Sequence, residues 1–128
     1  MIIAGLVLTG VAALVHIVIF YLESIAWTGA RARAVFGTSE AEAQATKALA
    51  FNQGFYNLFL AIAVFTGMIL FAAGQSAAGA ALLFAGAGSM AAASLVLAIS
   101  SPDKLAAAMK QGILPALGVI VLAIALTA

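Results

Sequence analysis

Four long apolar stretches occupy most of the chain and limit it to one class of fold. They cover approximately residues 2–27, 49–73, 76–100 and 105–128. Each exceeds the roughly 20 residues that a helix needs to cross a hydrocarbon core of ~30 Å. Because 66% of the residues are hydrophobic and only 7% are charged, little sequence remains for a water-soluble domain. We therefore predict an all-α integral membrane protein, a single domain over residues 1–128 that forms an up-and-down bundle of four transmembrane helices.

The composition also excludes several classes of function. The chain has no cysteine, so it has neither a disulfide framework nor a thiolate metal site. Its net charge of +1 argues against a nucleic-acid partner. The first stretch lacks both a basic segment before it and a small-residue cleavage motif after it, so we interpret it as a retained span. No Gly-rich phosphate loop or Ser/His/Asp set is present, and we predict no cofactor.

The basic residues indicate an orientation. All five lie in or next to the connections that join spans one and two and spans three and four: Arg31, Arg33, Lys47, Lys104 and Lys110. Positive residues mark the cytoplasmic side of a membrane protein. We therefore expect a multi-pass protein of the cell (inner) membrane, with both termini outside the cytoplasm.

Two connections carry signals for a helix start. Ser39 and Glu42 have the spacing of a capping box, which predicts a short amphipathic extension that leads into the second span. In the last connection, Ser101 is a candidate N-cap with Pro102 at the first helical position, so the fourth helix is expected to begin before the membrane. We interpret Glu40, Glu42, Asp103 and Lys104 as a solvated rim.

Polar residues of the first span form one stripe. His16, Phe20, Glu23 and Trp27 are spaced four, three and four residues apart, which places them on one face of a helix. With Trp27 at the interface, Glu23 lies roughly 6 Å deep and His16 roughly 16 Å deep. Intramembrane acids usually mark functional sites, although a structural hydrogen bond is the simpler alternative for either residue. A single histidine this far from its nearest acid does not favour a zinc site.

The segment FNQGFYN supplies a second polar group at the start of the second span. Asn52, Gln53, Tyr56 and Asn57 fall within an arc of about 140° on a helix. The fourth span adds Gln111, whose carbonyl is released from the helix ladder by a proline four residues later. These residues predict a polar pocket between helices one, two and four. Their alternative role is that of hydrogen bonds between helices.

Small residues on the third span suggest a close helix contact. Ala85, Ser89 and Ala93 are four residues apart and share one face. Small side chains let helix backbones approach each other. The face is interpreted either as packing within the bundle or as the interface of a homodimer.

Four elements of the sequence, in order, resemble those of a known family. They are His16-x6-Glu23-x3-Trp27, then VFG, then NQGFYN, then QGILPA. This pattern resembles the family of small membrane proteins catalogued as domain of unknown function thirteen-zero-four. The resemblance spans the whole chain, implies four spans, and implies that these polar residues are signature positions. It implies no settled biochemical activity.

Two classes of function fit the sequence. In the first, the pocket binds a small amphipathic or membrane-lipid-like ligand, with His16 and Glu23 as acid and base. The polar head of this ligand would then contact Trp27, Asn52, Gln53, Tyr56, Asn57 and Gln111. In the second, the protein is a small-molecule or proton-coupled transporter similar to small multidrug resistance proteins, which also have four helices and a glutamate in the first. Whether the protein is an enzyme stays open at this stage.

Overall fold

The computed structural model describes residues 1–128 and contains helices and turns only. Its elements are α1 (Ile2–Phe20), a π-helical turn (Tyr21–Ile25), α2 (Ala30–Phe36), α3 (Glu40–Ala72), α4 (Ser76–Ser100), a 3₁₀ turn (Pro102–Lys104) and α5 (Leu105–Thr127). Four helices are long and apolar enough to cross a membrane: α1 with its π turn, α3, α4, and α5 with its 3₁₀ turn. The predicted all-α fold with four candidate spans is therefore confirmed.

The four spans form a closed ring. Helix α1 packs against α3 and α5, and α4 packs against the same two helices from the opposite corner. The centre is filled largely by small and medium side chains, namely Ala12, Ala13, Ala61, Val64, Leu83, Ala87, Met90 and Leu122. Alanine at these positions allows the backbones to lie close together, which is how helices associate in lipid.

The outer surface of the ring is apolar. Ile3, Leu49 and Ile99 each expose more than 70% of their surface, and many other large apolar side chains lie beside them. A soluble monomer rarely exposes apolar patches of this extent. Together with the length of the helices, this surface supports a multi-pass membrane protein.

Helix α3 begins at the predicted capping box. The Glu42 amide donates to the Ser39 hydroxyl at 3.1 Å, and the Ser39 amide donates to the Glu42 carboxylate at 3.3 Å. The helix runs for 33 residues without a break, or about 50 Å, which exceeds a hydrocarbon core of ~30 Å. Helix α3 is therefore longer than a span requires, which leaves room for the extension that the sequence predicts before the second span.

The two connections at this end of the bundle hold structure that the sequence did not reveal. The first contains α2, which ends at Gly37 in the left-handed conformation at φ 65°. In the last, Ser101 and Pro102 occupy the predicted N-cap and N1 positions, but of a 3₁₀ turn, and the Ser101 side chain caps nothing. The α-helix itself begins only at Leu105, because Lys104 N–H bonds to the Ser101 carbonyl in the tighter 3₁₀ pattern.

The small-residue face of α4 points away from the bundle at Ala85 and Ser89. Both are exposed in the single chain, so the interpretation as packing within the bundle is wrong for them, whereas Ala93, although exposed, lines a cavity of the bundle. The buried face lies on the other side of the helix, where Gly86 and Ala87 meet α3. A Cβ atom on Gly86 would lie 2.7 Å from Val64 Cγ2, so the close contact forms there.

Candidate functional site

Glu23 is positioned by the π turn at the end of α1. In this turn the Ala26 amide donates to the Tyr21 carbonyl at 3.0 Å, five residues back. The wider turn directs Leu22 and Glu23 into the bundle, where Glu23 is only 9% exposed. π-Helical insertions are rare and occur frequently at functional sites.

The carboxylate of Glu23 has one partner, the amide of Asn57 on α3. Asn57 Nδ2 donates to Glu23 Oε2 at 2.7 Å and to the Gln53 carbonyl at 3.2 Å. Both Glu23 and Asn57 are buried. Because the Gln53 carbonyl fixes the Asn57 amide, the orientation of the Glu23 carboxylate is also fixed.

The π turn lies directly on the backbone of α3. Ser24 Oγ donates to the Phe51 carbonyl at 2.8 Å, and Gly54 faces the same turn. A Cβ atom on Gly54 would lie 3.0 Å from both the Phe20 carbonyl oxygen and the Ser24 amide nitrogen. Glycine at position 54 therefore allows the contact that brings Asn57 to Glu23.

His16 lies deeper in the bundle than Glu23. The ring is 1% exposed, and its Nδ1 is 2.9 Å from the Ala12 carbonyl oxygen. A carbonyl only accepts, so Nδ1 carries a proton in this bond. In the neutral ring, Nε2 then keeps a free lone pair that can accept a proton.

His16 and Glu23 line the same cavity, which has a volume of about 310 Å³. All four spans and both connections at this end contribute to its wall, which consists of His16, Glu23, Trp27, Phe36, Thr38, Gln53, Asn57, Leu60, Met90, Ala93, Leu97, Lys104, Ala107 and Gln111. The sequence predicted a pocket lined by spans one, two and four, which are α1, α3 and α5. That prediction was incomplete, because the third span, α4, also supplies three side chains of the wall. Those three are apolar.

The outer end of the cavity is formed by the connections between spans. The rings of Trp27 and Phe36 pack with their centroids 5.3 Å apart. Trp27 Nε1 donates to Thr46 Oγ1 at 3.1 Å, and Lys104 Nζ donates to the Gly37 carbonyl at 2.7 Å. These contacts join the first connection to α3 and to the turn before α5. We call this end, made by Trp27, Phe36, Thr38 and Lys104, the mouth.

The structure brings six of the eight predicted site residues to the cavity wall. They are His16, Glu23, Trp27, Gln53, Asn57 and Gln111.

Asn52 and Tyr56 do not line this cavity, contrary to the prediction. Tyr56 is 65% exposed, and the Asn52 side chain bonds to the Ala48 carbonyl of its own helix at 3.4 Å. The buried face of α3 contains Gly54 and Asn57, and at about 100° per residue Asn52 and Tyr56 lie beyond its edge.

Sequence reasoning missed the side chains that the connections contribute. Phe36 and Thr38 were not predicted, and Lys104 was placed on a solvated rim. In the structure only 20% of the Lys104 side chain is exposed. Lys104 bonds to the Gly37 carbonyl at the end of α2, a seven-residue helix with no side-chain cap, whose start has no clear sequence signal.

A family model matches most of the chain. It is described as "Protein of unknown function (DUF1304)", and it matches residues 10–123. The chain belongs to this family. The DUF1304 match contains every residue of the cavity wall and confirms the resemblance noted in the sequence. No curated protein and no solved structure matches the chain.

Proposed function

We propose that this membrane protein binds a small amphipathic or lipid-like molecule in the cavity, and that Glu23 and His16 act on its polar part as an acid–base pair. The observation that carries the proposal is the buried hydrogen bond between Asn57 and Glu23 on the cavity wall. A carboxylate inside a span is costly and is generally retained for function.

The dimensions of the cavity support a small ligand. A volume of about 310 Å³ is at the lower end of the ~300–1,000 Å³ range of small-molecule sites. Such sites combine a mainly apolar wall with a few placed polar groups. Here Leu60, Met90 and Leu97 supply apolar surface, and the buried polar groups face the same space.

The two titratable groups are held in a manner that suits proton transfer. Asn57 orients the Glu23 carboxylate, and the Ala12 carbonyl selects the His16 tautomer that leaves Nε2 free. A general acid or base must present a defined atom to its substrate. Glu23 Oε1 and His16 Nε2 are the atoms that we assign to this role.

Proton-coupled transport of a small molecule is the second candidate, and one observation favours it. Glu23 also lines a second cavity of about 310 Å³, on the side of the π turn that faces Glu42, Thr46 and Leu49. A carboxylate that is reached from two cavities can exchange a proton on one side and meet a ligand on the other.

The proposal includes the location of the protein. The basic residues near the mouth support an orientation with this end of the bundle on the cytoplasmic side, and we propose that the membrane is the cell membrane. The ligand would then enter from the cytoplasm or from the inner leaflet of the bilayer.

The pH dependence of binding tests the role of Glu23. The purified protein is analysed by native mass spectrometry for a retained molecule, and the binding of that molecule is measured from pH 5 to 9. A cation requires the carboxylate, so its affinity rises with pH. A neutral substrate that uses Glu23 as general acid requires the protonated form, so its affinity falls with pH.

Two variants separate Glu23 from other acids. Glu23→Gln should abolish the pH dependence, and Glu40→Gln, at the exposed start of α3, should leave it unchanged. If Glu23→Gln keeps full binding and the wild-type pH profile, Glu23 is a structural residue and both candidate functions are wrong.

A further inference from the structure

We propose that the mouth of the cavity is a subsite for the anionic headgroup of an amphiphile, formed by Lys104 Nζ and Thr38 Oγ1. The proposal rests on the proposed function, because it names the class of ligand that the same cavity takes. It follows from donors at the mouth that lack acceptors in the protein.

The ammonium group of Lys104 is only partly used by the protein. One of its three hydrogens is donated to the Gly37 carbonyl at 2.7 Å. The nearest carboxylate is that of Asp103, at 3.9 Å, and 75% of the Asp103 side chain is exposed. A pair at this distance and exposure is weak. Lys104, a residue of the cavity wall, therefore carries a positive charge and two N–H donors that the protein does not use.

The hydroxyl of Thr38 has no hydrogen-bond partner at all. Thr38 lines the cavity at the mouth, but its Oγ1 is buried in the wall, so the hydroxyl reaches a ligand after rotation of the Thr38 side chain. Buried polar atoms in proteins nearly always have a partner, so an atom without one requires an explanation. A hydroxyl can donate to an anionic oxygen, and such a charge-assisted bond is stronger than a neutral one.

The deeper polar groups differ from those at the mouth. Glu23 and His16 are the other titratable groups that face this cavity, and each already has a partner, in the Asn57 amide and in the Ala12 carbonyl. Glu23 would repel an anion placed beside it. Lys104 precedes α5 and Thr38 precedes α3, so the unsatisfied donors lie at the entrance, on different elements from Glu23 and His16.

The apolar wall accounts for the remainder of the ligand. Met90, Ala93 and Leu97 lie on α4 at successive spacings of three and four residues, and they form one apolar strip along the cavity. Ala93 is exposed, which indicates that the cavity is open beside this strip. A hydrocarbon chain along this strip would extend from a headgroup at Lys104 towards the lipid.

A carboxylate and a phosphate monoester share the chemistry that Lys104 and Thr38 recognise. Four probes with the same 12-carbon chain separate these sources from other headgroups: dodecanoate, dodecyl phosphate, dodecanol and dodecylammonium. The protein is reconstituted in phosphatidylcholine vesicles. Trp27 is the single tryptophan of the chain and lines the mouth, so its fluorescence reports binding at this site.

We expect at least one anionic probe to bind about tenfold more tightly than dodecanol, which corresponds to a charge-assisted hydrogen bond. Lys104→Met should reduce this preference to less than about threefold, and Thr38→Val should reduce it without changing the binding of dodecanol. Lys104→Arg should retain it. Lys47→Met removes an exposed lysine of the same charge outside the cavity and should have no effect.

The design separates failure of this inference from failure of the proposed function. If dodecanol or dodecylammonium binds as tightly as both anions, or if Lys104→Met and Thr38→Val keep the anion preference, the headgroup inference is wrong and the ligand cavity stands. If no probe changes the Trp27 emission and none is retained in native mass spectrometry, both are wrong. Should Lys104→Met fail to fold, Thr38→Val alone decides, because valine keeps the shape of threonine.

Discussion

The hydroxyl of Ser24 donates a 2.8 Å hydrogen bond to the backbone carbonyl of Phe51, and this bond fastens the π turn of α1 to helix α3. Two residues further along α3, the carbonyl of Gln53 holds the amide of Asn57, which in turn binds Glu23. The orientation of the one acid inside the bundle therefore depends on the register between α1 and α3. A residue that fixes this register should matter as much as the site itself.

Gly54 is the residue that we expect to fix the register between α1 and α3. Gly54→Ala places a Cβ atom 3.0 Å from the Phe20 carbonyl oxygen and the Ser24 amide nitrogen, so the helices must separate. We expect a loss of about 1–3 kcal/mol in the free energy of unfolding, typical of overpacking. Denaturation in mixed detergent micelles measures it.

A second helix glycine provides the control for this experiment. A Cβ atom on Gly88 of α4 would have no packing neighbour within 4 Å, so Gly88→Ala meets no obstacle. Alanine is a better helix former than glycine by about 0.5–1 kcal/mol, so Gly88→Ala should be neutral or stabilising. Equal effects of the two substitutions would contradict a specific contact at Gly54.

The bond between Asn57 and Glu23 should be measurable as a coupling energy. Asn57→Leu leaves the buried Glu23 carboxyl without its donor and should cost about 1–3 kcal/mol. In the Glu23→Met background the same substitution should cost less, because no carboxyl remains to be satisfied. We expect a coupling of about 0.6–1.7 kcal/mol, the range found for hydrogen bonds between membrane helices. A coupling of zero in this double-mutant cycle would show that the two side chains act independently.

The sequence predicts the fold well because the relevant signals are local. The length of an apolar stretch determines whether it can span a membrane. The capping box of Ser39 and Glu42 is a motif of only four residues, and it marks the start of α3. These features depend on the chain itself and not on its neighbours. The number of candidate spans and their approximate bounds followed from them.

The rotation of each helix could not be obtained in the same way. In α4 nearly every residue is apolar, so no contrast distinguished the buried side at Ala87 from the exposed side at Ala85. In α3 the polar arc was correctly identified, but only its edge at Gln53 and Asn57 reaches the cavity. The rotation is set by close backbone contacts such as Gly54 on the π turn, and those arise only when the helices have packed.

The orientation in the membrane is a prediction that a reporter can test. The five basic residues lie in or next to the two connections at the mouth, and none lies at the other end of the bundle. The positive-inside rule predicts that the mouth faces the cytoplasm and that Ala128 lies outside it. A phosphatase that is active only outside the cytoplasm, fused after Ala128, should be active. Fusion of the same reporter in the first connection, after Gly37, should give an inactive enzyme. The reverse pattern would contradict the orientation and place the mouth on the outer side.

The exposed small-residue face of α4 leads to the last prediction, a homodimer through this helix. Ala85 and Ser89 lie four residues apart on the outer surface of one chain, where small side chains permit a second α4 to approach closely. Ala85→Leu combined with Ser89→Leu should convert a dimer to a monomer, since leucine holds the two backbones apart. Because neither residue is buried in the single chain, the free energy of unfolding of the monomer should change by less than about 0.5 kcal/mol.

Ala87→Leu is the matched control: Ala87 is 0% exposed, so leucine there should destabilise the fold itself by about 1–3 kcal/mol. Analytical ultracentrifugation in density-matched detergent measures the oligomeric state of each variant. A wild-type monomer, or a dimer that persists in the double leucine variant, would mean that this face of α4 contacts lipid.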